Sequence, residues 1–319
     1  IIIKLILIPY IFLSQGVITP ELSKIINNNQ PNKLIPIIIE VNDDFDLESW
    51  SLHFKENNTP IKKRASIICE QMTTIAQESQ EYIINEIKSK PTEYSNLKSS
   101  WIVNCIFLNP SNLLIKNLAF HPNIERIQIK DTQADIIDYI VGENENLEIE
   151  NGTEPGIEAI NVRPLWEMGY TGKSTLVFNY DTGVWAQHNA FSDRFFGNFY
   201  PMNQCWDGYF SQIPNGHVSD HGTHTLGTMA GLVSQTNDTI GIAFNSYWIA
   251  NDFVTSTVAT LPPIEDMITS FEWALNPDGD ISTYHDVPDV INNSWRWYNE
   301  IDTFQCSGYA VQLMNIIEA

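Results

Sequence analysis

Positive charge is what this chain has least of. Lys and Arg total 17 against 39 Asp and Glu in 319 residues, a formal net charge of −22. So acidic a chain repels phosphate instead of releasing its counterions, which argues against nucleic acid as a partner. Cysteine is scarce as well. Cys69, Cys105, Cys205 and Cys306 are widely spread with no Cys-x-x-Cys pair, which argues against a disulfide framework or a zinc ribbon. A single bridge such as Cys205 to Cys306 stays open. Long apolar runs are absent after the first residues. Ile1 to Leu13 is nearly all apolar, with Lys4 its one charge, too short for a comfortable span. It reads as the hydrophobic part of a secretory signal over residues 1–18, with a buried strand as the alternative. No Met opens the chain and no small-x-small cleavage site follows cleanly, so the N-terminus is expected to be incomplete. With such a signal removed, no other segment could cross a bilayer.

What is present supports real cores: hydrophobic residues make up 43% of a chain long enough for two domains. Residues 14–33 are polar, with Asn27-Asn28-Asn29, and read as a linker. Lys33–Val41 is rich in β-branched residues and predicts a strand. Ile68, Met72, Ile75, Ile83 and Ile87 recur at helical spacing, predicting a long amphipathic helix over 62–88. A strand over Trp101–Leu108, a short helix after Pro110-Ser111 and a strand over Ile124–Ile129 follow. That order suits a small antiparallel α+β unit over residues 33–130. Residues 131–156 include the run Glu143-Asn-Glu-Asn-Leu-Glu-Ile-Glu150 and read as an exposed acidic linker. Beyond it, strands alternate with helices. A strand runs to Asp181, and another spans Tyr247–Ile249. Pro262-Pro263 opens a helix that Pro277-Asp-Gly-Asp280 ends, a strand spans Val287–Trp295, and Ala310, Leu313, Met314 and Ile317 line a last helix. The class is α/β, a doubly wound parallel sheet covered on both faces over 157–319.

One stretch asks for chemistry: Asp220-His-Gly-Thr-His-Thr-Leu-Gly-Thr-Met-Ala-Gly231. Gly222, Gly227, Ala230 and Gly231 fall near one helical face, although each glycine costs a helix about 1 kcal/mol relative to alanine. Such a face makes a close-packed mount for the imidazole of His221. A surface or capping role is the plain reading of a loop histidine. A zinc reading takes His217, His221 and His224 together, but no acidic or sulfur ligand sits in the usual i, i+4 pattern beside them and His-Glu-x-x-His is absent. A third reading is a general base for a serine nucleophile, which needs a carboxylate to orient it. Asp181 is the candidate. It ends the apolar run Leu176-Val-Phe-Asn-Tyr-Asp181, where an open α/β sheet offers residues to a site.

The order of motifs is informative: Asp181-Thr-Gly, then His221-Gly-Thr-His 40 positions on (221 − 181), then Asn292-Asn-Ser-Trp295. In this order the chain resembles the subtilisin-like serine proteases (peptidase S8), of the bacillopeptidase F type, over about residues 155–319. The resemblance implies a secreted endopeptidase acting on polypeptide substrates, with Asp181 and His221 as two members of its triad. Ser294, Trp295 and Arg296 would present backbone to an extended substrate, although the family has glycine where Arg296 stands. Residues 33–130 would be the inhibitory pro-domain, an internal partner cleaved away after folding. No cofactor is implied. Nor is a metal expected, because Ala190 occupies the aligned position of a calcium-binding Asp. Neither Gly-Thr-Ser-x-Ala nor Gly-x-Ser-x-Gly occurs. The expectation is a C-terminally truncated chain, without nucleophile or oxyanion Asn, and inactive as it stands. The alternative is a non-catalytic binding or inhibitor protein built from a pro-domain and part of a protease fold.

Overall fold

The computed structural model describes residues 17–28, 33–43, 45–130, 135–136, 154–216, 219–255, 261–295, 297–298 and 308–318. In chain order the elements begin with α1 (Pro20–Asn28), β1 (Ile37–Val41), α2 (Leu47–Glu56) and α3 (Ile61–Lys88). Next come β2 (Tyr94–Ser100), β3 (Cys105–Pro110), α4 (Asn112–Leu118) and β4 (Ile124–Ile129). The pair β5 (Asp135–Ile136) precedes α5 (Pro155–Ala159), α6 (Arg163–Glu167) and β6 (Leu176–Asn179). Then follow β7 (Trp206–Asp207), α7 (His221–Ala230), β8 (Leu232–Val233), β9 (Asp238–Thr239) and β10 (Tyr247–Asn251). Last are α8 (Ile264–Ala274), β11 (Val290–Asn292), β12 (Trp297–Tyr298) and α9 (Gly308–Glu318). The chain divides into two compact units. One holds the residues up to Phe45 with Thr73–Asp131, the other Asp46–Met72 with Thr132–Ala319.

The first unit is an antiparallel sheet in the order β2-β3-β1-β4. All five residues of β1 are buried, as befits a central strand. Ile37, Ile39 and Val41 share a core with Ile83 and Ile87 of α3, Ile106 and Leu108 of β3, and Leu114, Ile115 and Leu118 of α4. Ser111 caps α4 by accepting from the Leu114 N–H at 3.1 Å.

Two readings of this half are corrected. Residues 14–33 are not simply a linker: Pro20 opens α1, and Leu22 and Ile26, four apart on one face, are buried in the core. Val17 is buried there too, and the Ile127 N–H donates to its carbonyl, which ties residue 17 to β4. Residues 1–16 lie outside the described ones. The strand read at Trp101–Leu108 is instead two strands, β2 and β3, joined by a turn over 101–104. Asn104 takes φ 43 in that turn, and its side-chain amide donates to the Val41 carbonyl at 3.2 Å and accepts from Gln80 at 2.8 Å. An asparagine that tolerates the left-handed region makes the corner; its apolar neighbours hid it.

In the second unit β11, β6, β10 and β7 form one sheet in that order, all parallel. Phe178 of β6 pairs with Ile249 of β10 on one side and Ile291 of β11 on the other. Helices α5 and α6 are two short segments, broken where Asn161 takes φ 53. Gly279, at φ 76, turns the chain after α8 as its Pro-Asp-Gly-Asp run predicts. The strand read over Val287–Trp295 is shorter, Val290–Asn292. Among the described side chains of α9, Ile316 is buried, Leu313 and Ile317 of the stripe read there are half-buried, and Met314 is exposed. No described helix is long and apolar enough to cross a membrane.

Candidate active site

Strand alternation sorts the end of β6 into two faces. Asn179 and Asp181 point one way and Tyr180 the other. Tyr180 is enclosed by aromatic rings: Phe271 at 4.9 Å, Trp295 at 5.2 Å and Phe253 at 5.8 Å between centroids. Its hydroxyl donates to the Met267 carbonyl at 2.9 Å, which anchors the strand end to α8. Asp181 is fully buried on the opposite face. A carboxylate there needs donors, and it has three. The His221 Nδ1–H donates to Oδ1 at 2.7 Å, the Thr182 N–H to the same oxygen at 2.7 Å, and the Thr225 hydroxyl to Oδ2 at 3.1 Å.

His221 is the first residue of α7, one position after Asp220 at the cap. Asp220 makes no side-chain cap, so the orphan amides of that helix end are met from elsewhere. The Gly222 N–H donates to the Thr182 hydroxyl at 3.0 Å and the His221 N–H to the Ser219 hydroxyl at 3.3 Å. The Asn179 side-chain amide donates to the Gly222 carbonyl at 2.8 Å, tying β6 to the helix start. Asn292 of β11 donates to Asn179 Oδ1 at 3.0 Å, and the Asp181 N–H donates to Asn251 Oδ1 at 2.9 Å. Three neighbouring strands therefore fix the two residues.

The small-residue reading of α7 holds at Gly222 and fails at Gly227. A Cβ on Gly222 would stand 2.2 Å from the Gly183 carbonyl oxygen and 3.1 Å from Asp181 Cβ. A Cβ on Gly227 would meet only Ile240 Cγ2, at an ordinary 3.9 Å. Gly183 itself takes φ 98, a conformation glycine alone adopts cheaply.

The hydrogen bond from Asp181 raises the His221 imidazole above its ordinary pKa, and the charges of Asp181 and Asp220 add to this while burial opposes it. With Nδ1 committed to Asp181, Nε2 is the nitrogen left to exchange a proton with another group.

The structure thus brings Asp181 and His221 together. His224 is exposed, and His217 lies outside the described residues. Ser294 is exposed, with its hydroxyl on Asn292 at 2.9 Å. Trp295 is a packing residue: its indole N–H donates to the Tyr180 carbonyl at 2.9 Å and its ring lies on Tyr180. Arg296 and Cys306 lie outside the described residues, and Cys205 is a free, buried thiol. Sequence reading missed Asn179, Thr182, Ser219, Thr225 and Asn251. Three of them carried a signal: Asn179 and Asn251 are polar interruptions at the same ends of apolar strands, and Thr225 is one helical turn after His221.

Residues 172–313 match the family described as Peptidase_S8, the subtilase family. The chain is 24% identical over 267 residues to Bacillopeptidase F of Bacillus subtilis (strain 168), covering 76% of this chain and 18% of that protein. It is 26% identical over 181 residues to Furin-like protease 2 of Drosophila melanogaster, 51% of this chain and 10% of the other. It is 28% identical over 159 residues to an extracellular protease of Xanthomonas campestris pv. campestris, 42% of this chain and 25% of the other. The chain therefore spans a quarter or less of the length of these relatives. Among solved structures it is similar to fervidolysin from Fervidobacterium pennivorans (TM-score 0.47, 15% identity, 90% of this chain, 38% of that one). It is similar also to the epidermin leader peptide processing protease of Staphylococcus aureus (TM-score 0.47, 12% identity, 90% and 57%).

Proposed function

We propose, on the premise that residues 172–313 are a subtilase segment, that this chain serves a serine-type endopeptidase in which Asp181 orients His221 as general base. The observation that carries the reading is the 2.7 Å bond from His221 Nδ1 to the fully buried Asp181 carboxylate. In the reaction, Nε2 takes the proton of a serine hydroxyl as that oxygen attacks the scissile carbonyl. Asp181 holds the tautomer that leaves Nε2 unprotonated and stabilises the imidazolium formed. The imidazolium then returns its proton to the leaving amine. Thr182 and Thr225 keep Asp181 an acceptor throughout.

Polypeptide substrates follow from the same reading. Beside edge strand β11, residues 294–296 would pair with an extended peptide by main-chain hydrogen bonds. The exposed Ser294 supports this, and Trp295 stiffens the segment through Tyr180. Residues 33–130, which carry the antiparallel sheet β2-β3-β1-β4, are the pro-domain in this reading. The acidic stretch 131–156 is the cleavable connection, and export fits the apolar start and a relative named an extracellular protease.

The test is hydrolysis of a chromogenic peptide by the native protein that carries this chain. His221→Ala and Asp181→Asn should each lower kcat by on the order of 10⁴-fold or more, with KM nearly unchanged. Unaltered kcat in both would reject the assignment.

A further inference from the structure

The loop between α8 and β11 holds a second group of chemistry-bearing side chains. The ligating atoms of Asp278, His285 and Asp286 all lie within 4.8 Å of one another. Asp286 is the unusual member. It is 1% exposed, and neither of its carboxylate oxygens has a hydrogen-bond partner. Burying an ionised carboxylate unpaired costs several kcal/mol, so such a group wants a cation. The His285 Nδ1 is 4.0 Å from Asp286 Oδ1, too long for a hydrogen bond. Asp278 carries the same sign as Asp286, and the buried Cys205 thiol beside it also feels the Asp286 charge. Burial first, then the Asp278 charge, lifts the Asp286 carboxyl above its ordinary range, against the opposing pull of the nearby Asp286 and Asp278 backbone N–H groups and of His285.

The loop holds the other two groups in place. Asp278 Oδ1 accepts from the Asp280 N–H at 2.8 Å and Oδ2 from the Thr283 hydroxyl at 2.5 Å, each oxygen keeping a lone pair. Asp280 is not a member of this group, and its Oδ1 accepts from the Ser282 N–H and hydroxyl at 2.9 and 2.7 Å. The His285 ring rests on Tyr200, with centroids 4.8 Å apart.

We propose that Asp278, His285 and Asp286 form a site for a divalent transition-metal cation of the zinc type. An imidazole with two carboxylates suits zinc, whereas calcium and magnesium take oxygen ligands only. Zinc bonds of about 2.1 Å put tetrahedral ligands about 3.4 Å apart, so the group must draw in slightly, and exposed His285 is the member free to do so. Two carboxylates and one dication leave the site neutral. Closing it would brace the connection into β11, whose Asn292 bonds Asn179 behind Asp181. This inference rests on the loop alone and does not depend on the proposed peptidase activity.

The experiment is a calorimetric titration of the full chain, stripped by a chelator, with zinc chloride. One equivalent should bind and raise the thermal midpoint. Asp286→Asn should weaken binding about 100-fold and His285→Ala at least tenfold. Asp286→Asn without metal should melt no lower than the parent, because it removes an unpartnered buried charge; that control separates lost ligation from lost folding. Absence of zinc binding to the parent overturns the site, as does undiminished affinity in both variants. Tighter binding of calcium than zinc overturns the metal class.

Discussion

Gly222 lies so close to Gly183 that a Cβ on it would stand 2.2 Å from the Gly183 carbonyl oxygen. This approach sets the distance between the strand bearing Asp181 and the helix bearing His221. Gly222→Ala must push α7 away from β6. The expected cost is about 2–3 kcal/mol, seen as a lower denaturant midpoint with an unchanged slope. Gly227→Ala, where the space is open, should be neutral or slightly stabilising.

Thr225 is the third donor onto Asp181, at 3.1 Å from Oδ2. Thr225→Val keeps the shape and removes the hydroxyl, leaving a buried carboxylate oxygen short of a partner. Stability should fall by about 1–3 kcal/mol, and Thr225→Ser should recover most of it. Equal losses in the two variants would point to packing instead of the hydrogen bond.

Asp207, at the end of β7, has one buried carboxylate oxygen without a partner. Burial chiefly, with the neighbouring Asp252 charge, pushes its pKa up to about 6 while the Ser270 hydroxyl partly offsets them. The folded state therefore binds this proton more tightly than the unfolded chain. Its contribution makes stability fall as pH rises from about 4 to about 6 and stay level above. Asp207→Asn should gain up to about 3 kcal/mol above pH 6 and little at pH 4, measured by urea unfolding across that range. Parallel curves for the two proteins would contradict the assignment.

The Trp295 indole donates to the Tyr180 carbonyl at 2.9 Å and its ring lies against the Tyr180 ring. Trp295→Phe should keep most of the ring contact and lose the hydrogen bond, costing about 1 kcal/mol, with Trp295→Ala costing about 3. Thermal unfolding of both variants orders them. Indistinguishable melting of parent and Trp295→Ala would show the contact to be idle.

Much of the site was legible because its chemistry is written in contiguous residues. An apolar strand ending on Asp181 and a glycine-studded helix beginning at His221 announce themselves, and their order supplies the pairing. The pairing of the supports was not legible, because Asn292 reaches Asn179 and Asn251 reaches the Asp181 N–H only after three separated strands align, and no local pattern encodes that. The same limit explains the fold errors. α1 reads as a polar linker because, of its nine residues, just Leu22 and Ile26 are buried, and the Asn104 turn is hidden among residues that suit a strand. Asp286 escaped notice for a related reason: its burial is set by the loop's packing, not by its neighbours in sequence.

The central claim is that Asp181 orients His221, and nitrogen-15 NMR of the imidazole tests it most directly. The Asp181 hydrogen bond, with charge adding to it against burial, raises the His221 pKa above 6.5. Stability from the pair is then fully present below about pH 6.5 and is lost as pH rises through the raised value. Hydrolysis that needs the neutral base should rise over the same interval. The account predicts a neutral tautomer protonated on Nδ1, a pKa above 6.5, and loss of both in a folded Asp181→Asn variant. A neutral tautomer protonated on Nε2, with a pKa at or below 6.5 that Asp181→Asn leaves unmoved, would contradict it.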